Sequence, residues 1–169
     1  MKQFQKHRTL LVALFSLALI QAQDKDKEVL NQLLDHWHKD AADANYEGYF
    51  GAMAEESIFI GTDAMENWTK KEFQDFAKPY FDRGRAWSFT AIDRNIYVQK
   101  KGGVAWFDEL LSTQMGICRG SGILIKKRGK WHIKHYVLSI DVPNDNVSEL
   151  TALKQKRDST FIADRRKMR

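Results

Sequence analysis

Cysteine is all but missing from this chain: Cys118 is the one thiol in 169 residues. That excludes an intramolecular disulfide and a cysteine-rich zinc site, and leaves Cys118 as a small hydrophobe of the core. The histidines offer no metal spacing either. His36 and His38 stand two apart and diverge on a helix, and strict strand alternation sends His132 and His135 to opposite faces. A nucleophile elbow, a phosphate loop and a dinucleotide fingerprint are all absent. The chemistry classes that those motifs mark are therefore not indicated, and neither a metal nor a cofactor is expected. There is no internal repeat and no low-complexity segment. Proline occurs only twice, as Pro79 and Pro143, the first predicted to kink a helix and the second to stop a strand.

Long apolar runs are also few. The one at Leu10–Ile20, LLVALFSLALI, follows Lys2, Lys6 and Arg8 and ends near Ala22, before the charged segment DKDKE. It is short for a membrane span and has the layout of a secretory signal peptide, so 1–22 is expected to be removed. The expected location is secreted or periplasmic, with no stable membrane insertion afterwards. The remaining residues suit one domain, 23–153, followed by a basic helical tail, 154–169. The formal charge of +5 resides at the ends. Three bases lie in the leader, and seven bases against two acids in the tail, so 23–153 carries −3. That distribution argues against a nucleic-acid surface.

What is abundant is patterned apolar sequence. Val29, Leu30, Leu33, Leu34, Trp37 and Ala41 recur at helical spacing and predict a helix over 28–43. A break at Asn45 leads to a short helix over 45–54. SIFIG at 57–61 reads as a strand, and GTDAMENW as a turn. Thr69 with Glu72 forms a capping box for a helix over 69–83, which Gly84 ends. Four strands follow at about 86–99, 103–113, 117–127 and 131–142. Lys101-Gly102-Gly103, a looser turn at Gln114–Gly116 and a two-residue hairpin turn at Arg128-Gly129 join them. Asn146 begins a terminal helix. The fold class expected is α+β, a curved antiparallel sheet wrapped as a cone around the N-terminal helices.

The segments FIGTDAMENWTKKEFQDFAKPYF, AWFDELL, CRGSG and KWHIKHYVLSIDVPND, in that order, resemble the SnoaL-like branch of the nuclear transport factor 2-like superfamily, and in particular its small exported bacterial members. The resemblance spans roughly residues 28–150. It implies the cone fold, also described as a cystatin-like roll, and a turn at Asp63–Trp68 that edges a pocket. The superfamily holds isomerases, cyclases and dehydratases, as well as members without known activity, so the activity stays open.

Within the cone, strict alternation puts Trp131, Ile133, His135, Val137 and Ser139 on the inner face. The 127–130 hairpin then sets His135 opposite Gly122, Val137 opposite Gly120 and Ser139 opposite Cys118. Two glycines beside an inward histidine suggest open volume, and His135 is the first candidate for acid–base chemistry or ligand binding. One of Asp108 and Glu109 points inward, with Trp106 or Phe107 respectively, and the looser turn leaves the choice open. A carboxylate among aromatics is expected to have a raised pKa. Asp63, Trp68, Tyr80, Arg119 and Ser139 complete the candidate ligand-binding set, with Arg119 on the outer face unless a bulge intervenes. The partners expected are a small, partly apolar molecule and a second copy of the chain, docked through an outer face carrying Tyr136, Leu138 and Ile140. The rival readings are an enzyme using an Asp/Glu–His pair for proton transfer, as isomerases, dehydratases or hydrolases do, and an interaction module without a ligand.

Overall fold

The computed structural model describes residues 24–100 and 102–168, so the expected leader and its cleavage point, as well as Lys101, lie outside the described residues. Helix α1 runs through 24–42 and buries Leu30, Leu34, Trp37 and Ala41, the stripe predicted from the spacing. Ala44, in the left-handed region at φ 55°, breaks it. Asn45 then caps a short α2, Tyr46–Gly51, by accepting from the Gly48 backbone N–H at 3.1 Å.

The chain next enters strand β1, Met53–Ile60, earlier than expected. The sequence places Met53 and Ala54 on a helix, yet both are buried in the strand, where Met53 pairs with Ile133 of the sheet. A three-residue strand β2, Asn67–Thr69, forms inside the segment read as a turn and pairs antiparallel with β1. Helix α3, Lys70–Asp82, opens with the predicted capping box. The Thr69 side chain and the Glu72 backbone N–H bond one another, and Glu72 reaches back to the Thr69 N–H at 2.8 Å. Phe73, Ala77 and Phe81 form its buried side.

The four long strands are β3, Phe89–Val98; β4, Val104–Thr113; β5, Gly116–Lys127; and β6, Lys130–Ile140. They form successive antiparallel hairpins as predicted. At the β5–β6 turn Arg128 and Gly129 both take positive φ, 50° and 81°, which is the backbone that a tight two-residue hairpin requires. The sheet order is β2-β1-β6-β5-β4-β3. The β1–β6 pairing is parallel, so the sheet is mixed rather than wholly antiparallel. A 3-10 turn, Asn144–Asn146, leads into α4, Val147–Lys167, which buries none of its residues.

One irregularity decides which side chains face the helices. Along β5–β6 the register runs Lys127 to Lys130 and Ile125 to His132, then Leu124 pairs with Ile133 and Ile123 with His135. Lys134 is therefore an extra residue, a β-bulge, and its ammonium turns to the backbone carbonyl of Glu56 on β1. Beyond the bulge the parity reverses. Trp131 and Ile133 face inward, and so do Tyr136 and Leu138, all four buried. Unbroken alternation would have exposed the last two, at about 1.5–3 kcal/mol of lost apolar burial for each large side chain.

No helix among the described residues is long and apolar enough to cross a membrane.

Candidate functional site

Beneath the sheet, an ionisable cluster is buried among aromatic rings. β4 sends alternate residues inward, and its register with β5 sets Glu109 opposite Gly120. Glu109 is 1% exposed. Its Oε1 accepts from His38 Nε2 on α1 at 2.8 Å and from the Tyr136 hydroxyl on β6 at 3.1 Å. Its Oε2 accepts from Arg94 Nε on β3 at 2.8 Å. Arg94 Nη1 continues outward to Asp35 at 2.8 Å and to the Asn31 carbonyl at 3.2 Å, both on α1. One carboxylate thus ties together a helix and three strands.

The electrostatics follow from those contacts. Burial pushes the Glu109 carboxyl upward, but the hydrogen bond and charge of His38, followed by those of Arg94, outweigh it and hold the group below the usual carboxylate range. Burial, and then the Glu109 charge, push the Tyr136 phenol well above its ordinary value, and burial does the same for Tyr49. The expectation of a raised carboxyl in the cone is therefore reversed. Three donors occupy most of the lone-pair sites of an ionised Glu109, which makes it an anchor rather than a base awaiting a proton.

The predicted site residues separate into three places. Glu109 and Phe107 face inward. Asp108 and Trp106 face out, Asp108 receiving the Asn95 amide at 3.1 Å and Trp106 stacking on Tyr97 at 5.8 Å. His135 and Ser139 are also on the outer face, contrary to expectation, because the Lys134 bulge reversed the parity. Gly122 lies opposite Tyr136 and Gly120 opposite Leu138, so neither glycine adjoins His135 as an inward imidazole. The space that they leave is filled. A Cβ on Gly120 would meet the Tyr136 hydroxyl and, at 2.9 Å, Glu109 Oε1, while one on Gly122 would meet the Phe107 ring at 2.8 Å. Arg119 stays on the outer face because the bulge lies on β6 and leaves β5 unbroken; it faces Ser139 across the strands and pairs with Asp141 at 3.0 Å. Tyr80 is exposed on the solvent side of α3, packed against Arg83. Asp63 sits in the exposed turn, bonded to the Met65 N–H and to Arg157 of α4.

Trp68 is at the mouth of the cone. It stacks on Phe76 at 4.5 Å and lies within 7° of parallel to Phe73, which in turn stacks on Phe59 at 3.9 Å. These rings, with Trp87, Phe89, Met115 and Leu138, line a recess of about 110 Å³ whose polar edge is Thr62, Glu66 and Gln114. The Glu109 cluster is one aromatic layer deeper. His38 meets Phe89 edge-on at 5.8 Å, and Tyr136 stacks with Phe59 at 5.5 Å. A wider cleft of about 1100 Å³ lies between the 61–67 turn and α4, sharing Gly61, Thr62 and Glu66 with the recess. Its far wall is a solvated helix held by Arg157 to Asp63 and by Arg165 to the Met65 sulfur, so the aromatic recess is the better-built site.

His38, Arg94 and Tyr136 were not among the sequence candidates, though each carried a signal. His38 lies four residues after Leu34 on the buried stripe of α1. Arg94 has the parity of buried Ile96 on β3. Tyr136 continues an inward set, Trp131, Ile133, Tyr136 and Leu138, whose step of three marks the bulge.

Comparison with known proteins agrees with this architecture. No curated protein matches the sequence. Among solved structures, an NTF2-like protein of unknown function from Pseudomonas putida superposes with a TM-score of 0.62 at 12% identity, over 73% of this chain and 92% of that one. An NTF2-like protein from Cytophaga hutchinsonii gives 0.57 at 13%, over 68% and 98%. The association domain of C. elegans CaMKII gives 0.54 at 22%, over 70% and 96%. At these identities the likeness concerns the fold. The family model for the SnoaL-like domain matches residues 30–143, from within α1 to just past the end of β6, and the chain belongs to that SnoaL-like family.

Proposed function

We propose that this domain binds a small, predominantly apolar molecule in the aromatic recess at the mouth of the cone. The observation that carries this reading is the group of near-parallel rings of Trp68, Phe73 and Phe59, open on one side and closed beneath by the Glu109 cluster. Such a recess removes an apolar ligand from water, at about 25 cal/mol per Å² buried, while Thr62, Glu66 and Gln114 orient its polar end. Binding is favoured over proton transfer because the carboxylate in the cone is already held ionised by three donors and lies behind the ring layer. The test is native mass spectrometry of protein from its own host, followed by calorimetric titration with indole as a probe. Trp68→Ala should lose both the retained molecule and the indole heat while keeping its far-ultraviolet dichroism. Unchanged indole binding in Trp68→Ala would rule the recess out.

The same reading includes a homodimer through the convex face of the sheet. Tyr136 and Leu138, expected on that face, are inward. The observed face instead has three rows across the strands. They are Val104–Ile125–His132, Tyr97–Trp106–Ile123–His135–Ile58 and Asn95–Asp108–Ser121–Val137–Ile60. Four strand spacings by two row spacings, with a margin of half a spacing on each side, give a field on the order of 500 Å² per partner, about 1,000 Å² in total and so at the lower bound of a specific interface. Trp106 is 48% exposed, Tyr97 45% and Ile123 40%, large apolar groups side by side that a second copy would cover. Sedimentation at micromolar concentration tests this, and a monomer throughout would refute it. Export, with cleavage near Ala22, belongs to the same proposal and rests on the leader alone.

A further inference from the structure

We propose that His132 and His135 make self-association through the convex face depend on pH, the dimer forming when both imidazoles are neutral and loosening as they take up protons. The inference rests on the convex-face dimer proposed above.

The two histidines were expected on opposite faces of β6, and the Lys134 bulge brings them onto one. His135 sits in the middle row, directly between Ile123 of β5 and Ile58 of β1, with Trp106 and Tyr97 continuing the row. His132 lies in the neighbouring row beside Ile125, with Val104 beyond it. Its Nδ1 is shielded from solvent and has no hydrogen-bond partner among the described residues, so a proton placed there would find no acceptor. Laying a second apolar face over these rings would remove them from water, which a neutral imidazole tolerates and an imidazolium does not, unless a carboxylate meets it.

The charged groups around the two rings do not supply that carboxylate within the protomer. On β1, Glu56 is taken by Lys134 at 3.5 Å and Lys127 at 3.0 Å. On β4, Asp108 is one row away, opposite Ser121, and accepts from Asn95 of β3. On β5, Arg119 pairs with Asp141 beyond β6. On β6 itself the charges beside the rings are cations: Lys130, two residues before His132 on the same face and opposite Lys127, and Lys134 at the bulge. The direct cross-strand neighbours of both rings are Ile58, Ile123 and Ile125, all uncharged.

The size of the effect follows from linkage. Each ring that must lose a proton to enter the dimer multiplies the dissociation constant by the ratio of protonated to neutral ring in the free protomer, about tenfold per pH unit once the ring is protonated. Two copies of His135 give about a hundredfold over such a unit, and His132 adds to that. The experiment is sedimentation of the mature chain at pH 8.0 and 5.5, with circular dichroism confirming that it stays folded, alongside His132→Asn, His135→Asn and the double variant. The expected result is a dimer at pH 8.0 whose dissociation constant rises at least a hundredfold at 5.5, a rise mostly lost in the double variant. A dimer of equal strength at both pH values overturns the switch and leaves the dimer standing. Tighter association at 5.5 also overturns it, and would mean that a partner carboxylate such as Asp108 meets the imidazolium. A monomer at pH 8.0 removes the dimer itself, and the switch with it.

Discussion

Replacing Glu109 by Gln changes one buried atom and tests the whole central cluster. The substitution keeps the shape of the side chain but removes the charge that faces Arg94, whose side chain is only 5% exposed. It also puts an amide N–H where one oxygen accepted. If that NH₂ takes the Oε1 position it opposes the donors of both His38 and Tyr136, and if it takes Oε2 it opposes Arg94 Nε. Hydrogen bonds to a charged group are worth about 1.5–3 kcal/mol each, and stranding one member of a buried ion pair typically costs about 3–5 kcal/mol. The expected loss is therefore about 3–5 kcal/mol, measured by urea denaturation at pH 7 with the slope unchanged. The double variant Arg94→Met/Glu109→Met, which removes both charges, should lose less than Glu109→Gln alone. The pH dependence has a definite direction. The Glu109 carboxyl is depressed in the folded protein, so its contribution is fully present above the unfolded carboxyl value of about 4.3 and disappears as pH falls through the lower folded value. Wild type should thus lose stability below about pH 4.5, and Glu109→Gln should lack that part of the acid slope. A cost under about 1 kcal/mol, or an unaltered acid slope, would show that the carboxylate does not hold these four elements together.

Gly120→Ala should destabilise by about 1–3 kcal/mol, because the added methyl group collides with the Tyr136 hydroxyl and Glu109, and thermal melting reads it directly. Thr69→Ala removes the α3 cap and should cost about 1 kcal/mol in the same assay, with Thr69→Ser largely restoring it. Trp106→Asp on the convex face should shift sedimentation to monomer without lowering the melting temperature of the fold. Intact mass of exported protein should begin near Gln23, and a species retaining 1–22 would refute the leader assignment.

The meander from β3 to β6 was legible because two kinds of signal agreed there, turn chemistry at Arg128-Gly129 and period-two apolar strands. The helices α1 and α3 were legible from their stripes and, for α3, from a capping box. Lys134 was not legible. A bulge adds a residue without requiring a particular type, and parity counted from the turn carried His135 to the wrong face. The shift shows only in the larger apolar side chains, Ile133 and then Tyr136. The choice between Asp108 and Glu109 was hidden for a related reason. The loop between β4 and β5 has two residues, Gln114 and Met115, with Thr113 opposite Gly116, a register that the turn residues did not declare. The partnership of Glu109 with His38 and Arg94 joins residues 71 and 15 positions apart. Local pattern holds no information about such distant pairings, and the spacing of His38 and the parity of Arg94 with buried neighbours were signals that the sequence reading did not take up.

The parallel contact between β1 and β6 has a consequence for the order of folding. The hairpins β3–β4, β4–β5 and β5–β6 close short loops and can form on the microsecond scale from neighbouring sequence. β1 must instead find residues 133–137, roughly eighty positions away, and the entropy of that closure is lost before any contact compensates it. Until then the aromatic faces of α2 and α3 and the β6 edge have no cover. The closing of β1 onto β6 is therefore expected to be the late, rate-setting step. Substitutions at Ile58 or Phe59 should slow folding more than equally destabilising ones in the β4–β5 hairpin, and the chain would be most prone to aggregation during that interval.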